Sequence, residues 1–109
     1  MSNINELTLK LIAFRDDRDW KQFHNPKDLA IALSIEASEL LEAFLWKSHE
    51  QANQEKIKEE LADVLAYALL LAHSCNLDVT KIVEEKIEKN NLKYPVDKSK
   101  GSSKKYNEI

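Results

Sequence analysis

Four carboxylates lie at matching intervals in the middle of the sequence and raise the first chemical question. Glu36 and Glu39 are three positions apart, and after twenty intervening residues Glu60 and Asp63 repeat that spacing. Residues three apart share a helix face, so each pair would present two carboxylates to one side. On a helical wheel Glu36 falls within a stripe of leucines and alanines, where an uncompensated charge is costly. The sequence therefore predicts that something offsets this charge.

Two kinds of compensation are open to such a cluster. Carboxylates at close range either share protons or bind a cation. Hard oxygen ligands with no thiolate and no adjacent histidine favour Mg²⁺ over Zn²⁺. A di-iron bundle would need Glu-x-x-His motifs, and no glutamate in the chain has a histidine three residues later. Spacing alone also fits solvated helix-face acids, because Glu-x-x-Glu is common in helices.

The elements that must position these residues are four predicted helices, over about residues 5–19, 26–47, 54–75 and 79–92. Asn3, Asn25 followed by Pro26, and Asp78 supply helix starts, and Pro95 forbids continuation of the last helix. The short connection between the second and third helices predicts antiparallel packing, which would let the acidic pairs converge. One glycine and two prolines are too few for a sandwich or a doubly wound sheet. The predicted fold class is therefore all-α, of the four-helix bundle type.

The two central helices are apolar on all sides apart from their acids. Ile31 and Leu41 lie opposite Glu36, and Leu65 lies opposite Glu60. A helix that is apolar all round must be covered on every side, and four helices in 109 residues cannot easily cover two of them. We therefore predict that a homo-oligomer, either a dimer or a tetramer, completes the bundle.

Composition bounds the remaining possibilities. We predict one helical domain over residues 1–95 and a polar, lysine-rich tail over 96–109, either flexible or folding over a substrate. The net charge of −3 gives no footprint for a nucleic-acid polymer. No apolar run approaches the roughly 20 residues of a membrane span, and the N-terminus has no signal-peptide pattern. The single cysteine, Cys75, suits a reducing cytoplasm, so we expect a cytoplasmic location.

Aromatic and basic side chains accompany the predicted cation site. On the wheel, Trp46 and Tyr67 each lie two turns after an acid, and Trp20, Phe23 and His24 precede the second helix. Aromatic rings beside a metal indicate a planar ligand that stacks, such as a base. Lysines and an asparagine on one face of the fourth helix could meet phosphate oxygens; these are Lys86, Asn90 and Lys93. Together the features describe a nucleoside polyphosphate site, although each residue singly also fits core packing or a solvated surface.

The acidic arrangement resembles the signature of the MazG-like, all-α nucleoside triphosphate pyrophosphohydrolases, and most closely the dCTP pyrophosphatase branch. The stretches that carry the resemblance are RDWKQFHNP, EASELLEAFLWKS, EELADVLAY and KYPVDKSKGSSKKY, which together reach across most of the chain. The resemblance implies an oligomeric helical bundle that hydrolyses a nucleoside triphosphate to the monophosphate and pyrophosphate. One position departs from the animal dCTP-specific enzymes, because Leu11 stands where they carry a histidine, and this implies room for other deoxynucleotides.

The resemblance also implies roles for individual residues. Mg²⁺ would be held by Glu36, Glu39, Glu60 and Asp63, with Glu36 or Glu39 holding the attacking water. The nucleotide pocket would be lined by Trp20, Lys21, Gln22, Phe23, His24, Trp46 and Tyr67. The expected activity is a dCTP diphosphatase-like, house-cleaning hydrolysis of dCTP or related, modified deoxynucleotides. Alternatives that the acidic motif leaves open are an enzyme acting on dUTP or phosphoribosyl-ATP, and a catalytically idle helical oligomer used as an interaction module.

Overall fold

The chain is helical along most of residues 3–108, the part that the computed structural model describes. The α-helices are α1 (Ile4–Asp17), α2 (Pro26–Glu42), α3 (Gln54–Ser74), α4 (Val79–Lys93) and α5 (Val96–Ser99), with 3₁₀ turns at Lys21–Phe23 and Tyr106–Glu108. These residues contain no strand, and the predicted all-α fold class is confirmed. None of the described helices is both long enough and apolar enough to cross a lipid bilayer.

Side-chain caps fix the beginnings of the long helices. Asn3, Asn25 and Asp78 each accept a hydrogen bond from the backbone amide three residues later, at 2.9 to 3.0 Å. Asn53 caps α3 by accepting from two backbone amides. Such caps satisfy amides that a helix cannot pair internally, and each stabilises its helix by about 1 kcal/mol. The three helix starts that the sequence indicated are therefore real, and Asn53 supplies a fourth.

The second helix ends earlier than its apolar pattern predicts. The pattern extends the helix to about residue 47, but α2 ends at Glu42. The backbone amides of Ala43, Phe44 and Leu45 each donate to the carbonyl three residues back, so the chain tightens into successive turns. Trp46 then adopts a positive φ of 60°, which a bulky residue rarely does. A helical wheel therefore does not describe the positions of residues after Glu42, Trp46 among them.

The helices up to Leu77 form one compact unit, in which α2 packs on α3 and α1 also packs on α3. Among the described residues its buried hydrophobic side chains are Leu29, Ala43, Leu69, Leu70 and Ala72. Much of the apolar surface of α2 and α3 remains exposed; the largest such side chains are Ile31, Ile35, Leu41, Leu61 and Leu65. The small core follows from two helices that are apolar on more than one side.

The second compact unit begins at Asp78 and contains α4 and α5. Within it the rings of Tyr94 and Tyr106 meet edge to face with centroids 6.2 Å apart. The ammonium group of Lys93 lies 5.0 Å from the centroid of the Tyr106 ring. Tyr106 thus packs locally against the end of α4. The predicted domain division at residue 95 stays a prediction.

Candidate active site

Three of the four carboxylates converge between α2 and α3. Glu36, Glu60 and Asp63 each offer one carboxylate oxygen, and these oxygens all lie within 4.8 Å of one another. Glu60 and Asp63 share a face of α3 because they are three residues apart, and α2 supplies Glu36 across the helix contact. An oxygen-only set at this spacing can surround a hard divalent cation.

Two oxygens of this acidic cluster (Glu36, Glu60 and Asp63) are buried and lack partners within residues 3–108. They are Oε2 of Glu36 and Oε2 of Glu60. The other oxygen of Glu60 lies 3.4 Å from Nζ of Lys56, whose side chain is half exposed. A buried polar atom without a partner is costly, and a buried carboxylate oxygen is more costly still. The cluster therefore has capacity for a ligand that the chain itself does not supply.

Charge repulsion shows in the protonation of Glu36. Burial, the neighbouring Glu39 carboxyl and the charges of Asp63 and Glu60 together raise the pKa of Glu36 from its ordinary value to about 7. Glu39 lies near Glu36, one helical turn along α2, but it is outside the group of three converging oxygens. Without a cation, Glu36 is therefore partly protonated at near-neutral pH, since its ionisation would add one more like charge.

A cavity of about 320 Å³ adjoins the acidic cluster, because Asp63 belongs to both. The side chains that line it come from α1, the following loop and α3; they are Leu11, Phe14, Arg15, Trp20, His24, Asp63, Ala66, Tyr67 and Leu70. Burial raises the pKa of Tyr67, and so do the nearby charges of Glu36, Asp63 and Glu39. The nearby acids therefore make the Tyr67 hydroxyl harder to ionise. The ring of Tyr67 forms part of the aromatic wall of the cavity.

Aromatic rings give the cavity its walls. The rings of Phe14 and Trp20 meet edge to face with centroids 5.8 Å apart. Tyr67 and His24 lie with ring centroids 6.4 Å apart at an angle of 58°. Backbone bonds hold the loop in place, since the amide of Trp20 donates to the carbonyl of Arg15 at 3.1 Å. The walls suit a flat ring better than a flexible chain.

His24 is polar, largely enclosed and without a partner at one nitrogen. Its Nδ1 atom is buried and has no hydrogen-bond partner among the described residues. Burial lowers the pKa of His24 from 6.5, and the positive charge of Arg15 lowers it further. The imidazole is therefore neutral at physiological pH, with one nitrogen as donor and the other as acceptor. The ring thus adds a hydrogen-bond acceptor to the residues that line the cavity.

The sequence alone did not indicate Arg15, Ala66 or Leu70 as members of the site. Phe14 and Arg15 follow Leu11 by three and four positions, so α1 presents all three on one face. Arg15 is a charged side chain in an otherwise apolar stripe, which is the pattern that drew attention to Glu36. The same criterion applied to the first helix would have found it.

Three of the predicted pocket residues, Trp20, His24 and Tyr67, line the cavity. The other predicted residues of the first unit are exposed and are not among its lining residues in the described chain; they are Lys21, Gln22, Phe23 and Trp46. Gln22 instead binds the backbone and side chain of Asp19 at 3.0 and 3.1 Å. Lys86, Asn90 and Lys93 belong to the second unit. The roles predicted for all of these residues stay predictions.

Most of the chain is similar in sequence to a known family. The model of the MazG-like family matches residues 31–109, which include all four carboxylates. The chain belongs to the MazG-like family. The resemblance seen in the sequence is thereby confirmed, and the helical architecture agrees with it.

Curated relatives of this MazG-like chain carry the name dCTP pyrophosphatase 1. The rat protein is 43% identical and the human protein 38% identical, each over 88% of this chain and 61% of its own length. The chain thus spans about three fifths of the length of these relatives. A solved structure of a pyrophosphatase from Archaeoglobus fulgidus is 39% identical, with a TM-score of 0.80, over 87% of this chain and 94% of that one.

Proposed function

We propose that this MazG-like protein hydrolyses dCTP or related, modified deoxynucleoside triphosphates to the monophosphate and pyrophosphate, as a cytoplasmic nucleotide-pool house-cleaning enzyme. One observation carries the proposal: a carboxylate cluster with unpartnered buried oxygens adjoins an aromatic-walled cavity, and Asp63 belongs to both. Such a juxtaposition suits a ligand with a flat base and a polyanionic, cation-binding chain. The name dCTP pyrophosphatase 1, which the curated relatives carry, supports the same substrate class.

The carboxylates fit Mg²⁺ as the cation. Their donors are hard oxygens, two of them buried and unpartnered, and Mg²⁺ binds through a few carboxylates together with substrate phosphates. We assign the metal to Glu36, Glu39, Glu60 and Asp63, of which Glu36, Glu60 and Asp63 have converging oxygens. A bound divalent cation would neutralise charge on the phosphates and on the pyrophosphate leaving group.

The carboxylates of α2 also supply the proton acceptor. A water molecule held by Glu36 or Glu39 attacks the α-phosphorus, and the new P–O bond forms as the bond to the bridging oxygen of pyrophosphate breaks. The water proton passes to the carboxylate, and pyrophosphate leaves with the bond electrons. We assign the acceptor role to Glu39, because it lies beside Glu36 but outside the three converging oxygens. A positioned carboxylate base typically contributes about 10²- to 10⁴-fold.

Substrate contacts divide between two sets of residues. We propose that the base stacks among Trp20, His24 and Tyr67, which line the cavity. The flanking Lys21, Gln22 and Phe23, together with Trp46, would close over the nucleotide, and phosphate binding by Lys86, Asn90 and Lys93 stays a prediction from the sequence. Trp46 supports its part of this proposal, since a tryptophan that is 93% exposed with a left-handed backbone gains nothing from packing within its own chain.

The exposed apolar surface of α2 and α3 supports the proposal of a homo-oligomer. The exposed apolar side chains on α2 and α3 include Ile31, Ile35, Leu61 and Leu65, which are 42 to 55% exposed, and exposed apolar surface on soluble proteins can serve in interactions. Symmetric self-association covers such a surface with itself. Light scattering should therefore report a dimer or tetramer, and Leu65→Glu should shift the protein towards monomer. A wild-type monomer at high concentration would refute this part of the proposal.

The activity is tested by incubating the wild-type protein and Mg²⁺ with each of the four dNTPs and, separately, with dUTP and phosphoribosyl-ATP. Separate assays of pyrophosphate and orthophosphate then define the bond that is cleaved. We expect one pyrophosphate for each nucleoside monophosphate formed, with EDTA abolishing turnover. Stepwise release of orthophosphate, or no turnover of any dNTP, would overturn the proposal. Preferential turnover of dUTP or of phosphoribosyl-ATP would select a related enzyme, and absence of Mg²⁺-dependent nucleotide binding in calorimetry would select the interaction module.

A further inference from the structure

The buried charge in the wall of the cavity has no role in the chemistry proposed above. Arg15 is only 6% exposed and is the only buried charged residue within residues 3–108. Its Nε donates to Oδ1 of Asp16 at 2.9 Å, and this half-exposed neighbour is its only hydrogen-bonded side-chain partner in the described chain. An arginine has five N–H donors, so the two Nη groups keep donors available at the cavity that the residue lines.

The surroundings of Arg15 define what such donors could bind. Leu11 and Phe14, on the same face of α1, offer no hydrogen-bonding group, and His24 is neutral with a buried Nδ1 that has no partner. From α1 and the following loop, the polar groups at this cavity thus include a fixed cation and an imidazole. A planar guanidinium pairs best with two adjacent acceptors in one plane.

Among the pyrimidines, cytosine presents such a pair. Its O2 and unprotonated N3 are adjacent acceptors, and its exocyclic amine is a donor that a neutral imidazole nitrogen can accept. In uracil and thymine N3 carries a hydrogen, which would face the arginine donors and leave one of them unpaired. We propose that Arg15 is a specificity-determining residue that reads the O2 and N3 acceptors of cytosine, with His24 accepting from the exocyclic amine.

This inference rests on the proposed function and deepens it. The carboxylate cluster lies on α2 and α3 and has no member on α1, so Arg15 can distinguish bases without altering the hydrolytic residues. Phosphate binding by Arg15 is the competing role. It would affect every nucleotide equally, because all dNTPs carry the same triphosphate.

The experiment compares Arg15→Met with Arg15→Lys and with Lys10→Met, which removes the same charge from an exposed position of α1. We expect Arg15→Met to lower kcat/KM for dCTP about 10- to 100-fold, the value of a hydrogen bond to a charged group, with little change for dUTP. Arg15→Lys should restore only part of the loss, since it keeps the charge but not the fork. Lys10→Met should match the wild type.

Two further measurements keep the test decisive if Arg15→Met does not fold. In the wild type, 3-deaza-dCTP replaces the N3 acceptor by C–H and should be turned over about 10-fold or more slowly than dCTP. Calorimetry with dCMP should show weaker binding to Arg15→Lys than to the wild type, independently of hydrolysis. Equal losses for all dNTPs in Arg15→Met, or equal turnover of dCTP and 3-deaza-dCTP, would overturn the inference. Failure of the proposed function would look different, because the wild type would then release no pyrophosphate from any dNTP.

Discussion

The acidic cluster and Arg15 are both charged groups at positions where helix spacing calls for apolar side chains, but they are compensated in different ways. Arg15 has a carboxylate 2.9 Å away, and the nearby histidine is neutral because its pKa is lowered. The charged groups that shift the pKa of Glu36 are all acids, and one of its oxygens has no partner among the described residues. A single buried charge can thus be accommodated by its own chain, whereas several like charges call for a counter-ion from outside.

The largest effect should come from the acids. Glu39→Gln removes the proposed proton acceptor without changing side-chain size, and we expect kcat to fall about 10²- to 10⁴-fold. Steady-state assays of pyrophosphate release measure this loss. Glu42→Gln is the matched control, since Glu42 is an exposed glutamate one turn further along α2, and it should keep wild-type activity. Retained turnover in Glu39→Gln would remove this residue from the catalytic role.

Metal binding should distinguish the acidic cluster from Arg15, with the next largest effect. If the acidic cluster holds a cation, Mg²⁺ at 100 times its Kd should raise the free energy of unfolding by about 2.7 kcal/mol. Thermal unfolding with and without EDTA measures the shift. In the double variant Glu60→Gln, Asp63→Asn the shift should disappear, whereas Arg15→Met should retain it. An unchanged Mg²⁺ effect in the double variant would locate the cation elsewhere.

The pH dependence of the metal-free protein should show opposite signs for the two regions. The pKa of Glu36 is raised from 4.5 to about 7 by burial, Glu39, Asp63 and Glu60. The folded state therefore binds more protons than the unfolded state between these values, and stability falls as pH rises through this window. The pKa of His24 is lowered, so its contribution is present above pH 6.5 and is lost as pH falls through its folded pKa.

Urea unfolding in EDTA at pH 5, 6, 7 and 8 tests this contrast. Glu36→Gln should remove the loss of stability towards pH 7 and leave a profile that rises with pH through His24. It should also stabilise the metal-free protein at pH 8, because the repulsion disappears. A profile for Glu36→Gln that matches the wild type would mean that Glu36 ionises normally.

The smallest effect should be that of Arg15 on stability. Arg15→Met replaces a buried guanidinium by an apolar side chain of similar length, in a wall that is otherwise largely apolar. Replacing a buried charge in this way is often neutral or stabilising, so we expect the free energy of unfolding to change by less than about 1 kcal/mol. Denaturant unfolding of the metal-free protein measures it. A loss above about 3 kcal/mol would mean that the arginine is held by bonds essential to the fold.

Local rules predicted the helices well, because capping and proline act within a few residues. Asn3, Asn25 and Asp78 cap as their positions predict, and α4 stops just before Pro95. The predicted end of α2 was wrong, because the apolar periodicity continues past Glu42 while the backbone tightens into turns. Periodicity reports which face is apolar and does not distinguish a last helical turn from tight turns.

The site was predictable where residues repeat a pattern and not where a cavity depends on packing. Glu36, Glu60 and Asp63 converge as their spacing indicated. The wall contributed by α1 needed three-dimensional information, because nothing in the spacing of Leu11 and Phe14 distinguishes a cavity wall from a filled core. Arg15 could have been found as a charge in an apolar stripe.

The cavity draws part of its wall from α1 and the following loop, while the acids that would perform hydrolysis are on α2 and α3. Three neighbouring positions, Leu11, Phe14 and Arg15, therefore form a compact module whose sequence can vary with little effect on the reaction centre. A combinatorial library restricted to these positions would sample new nucleotide preferences while keeping the same chemistry, which makes α1 the part of the molecule best suited to redesign.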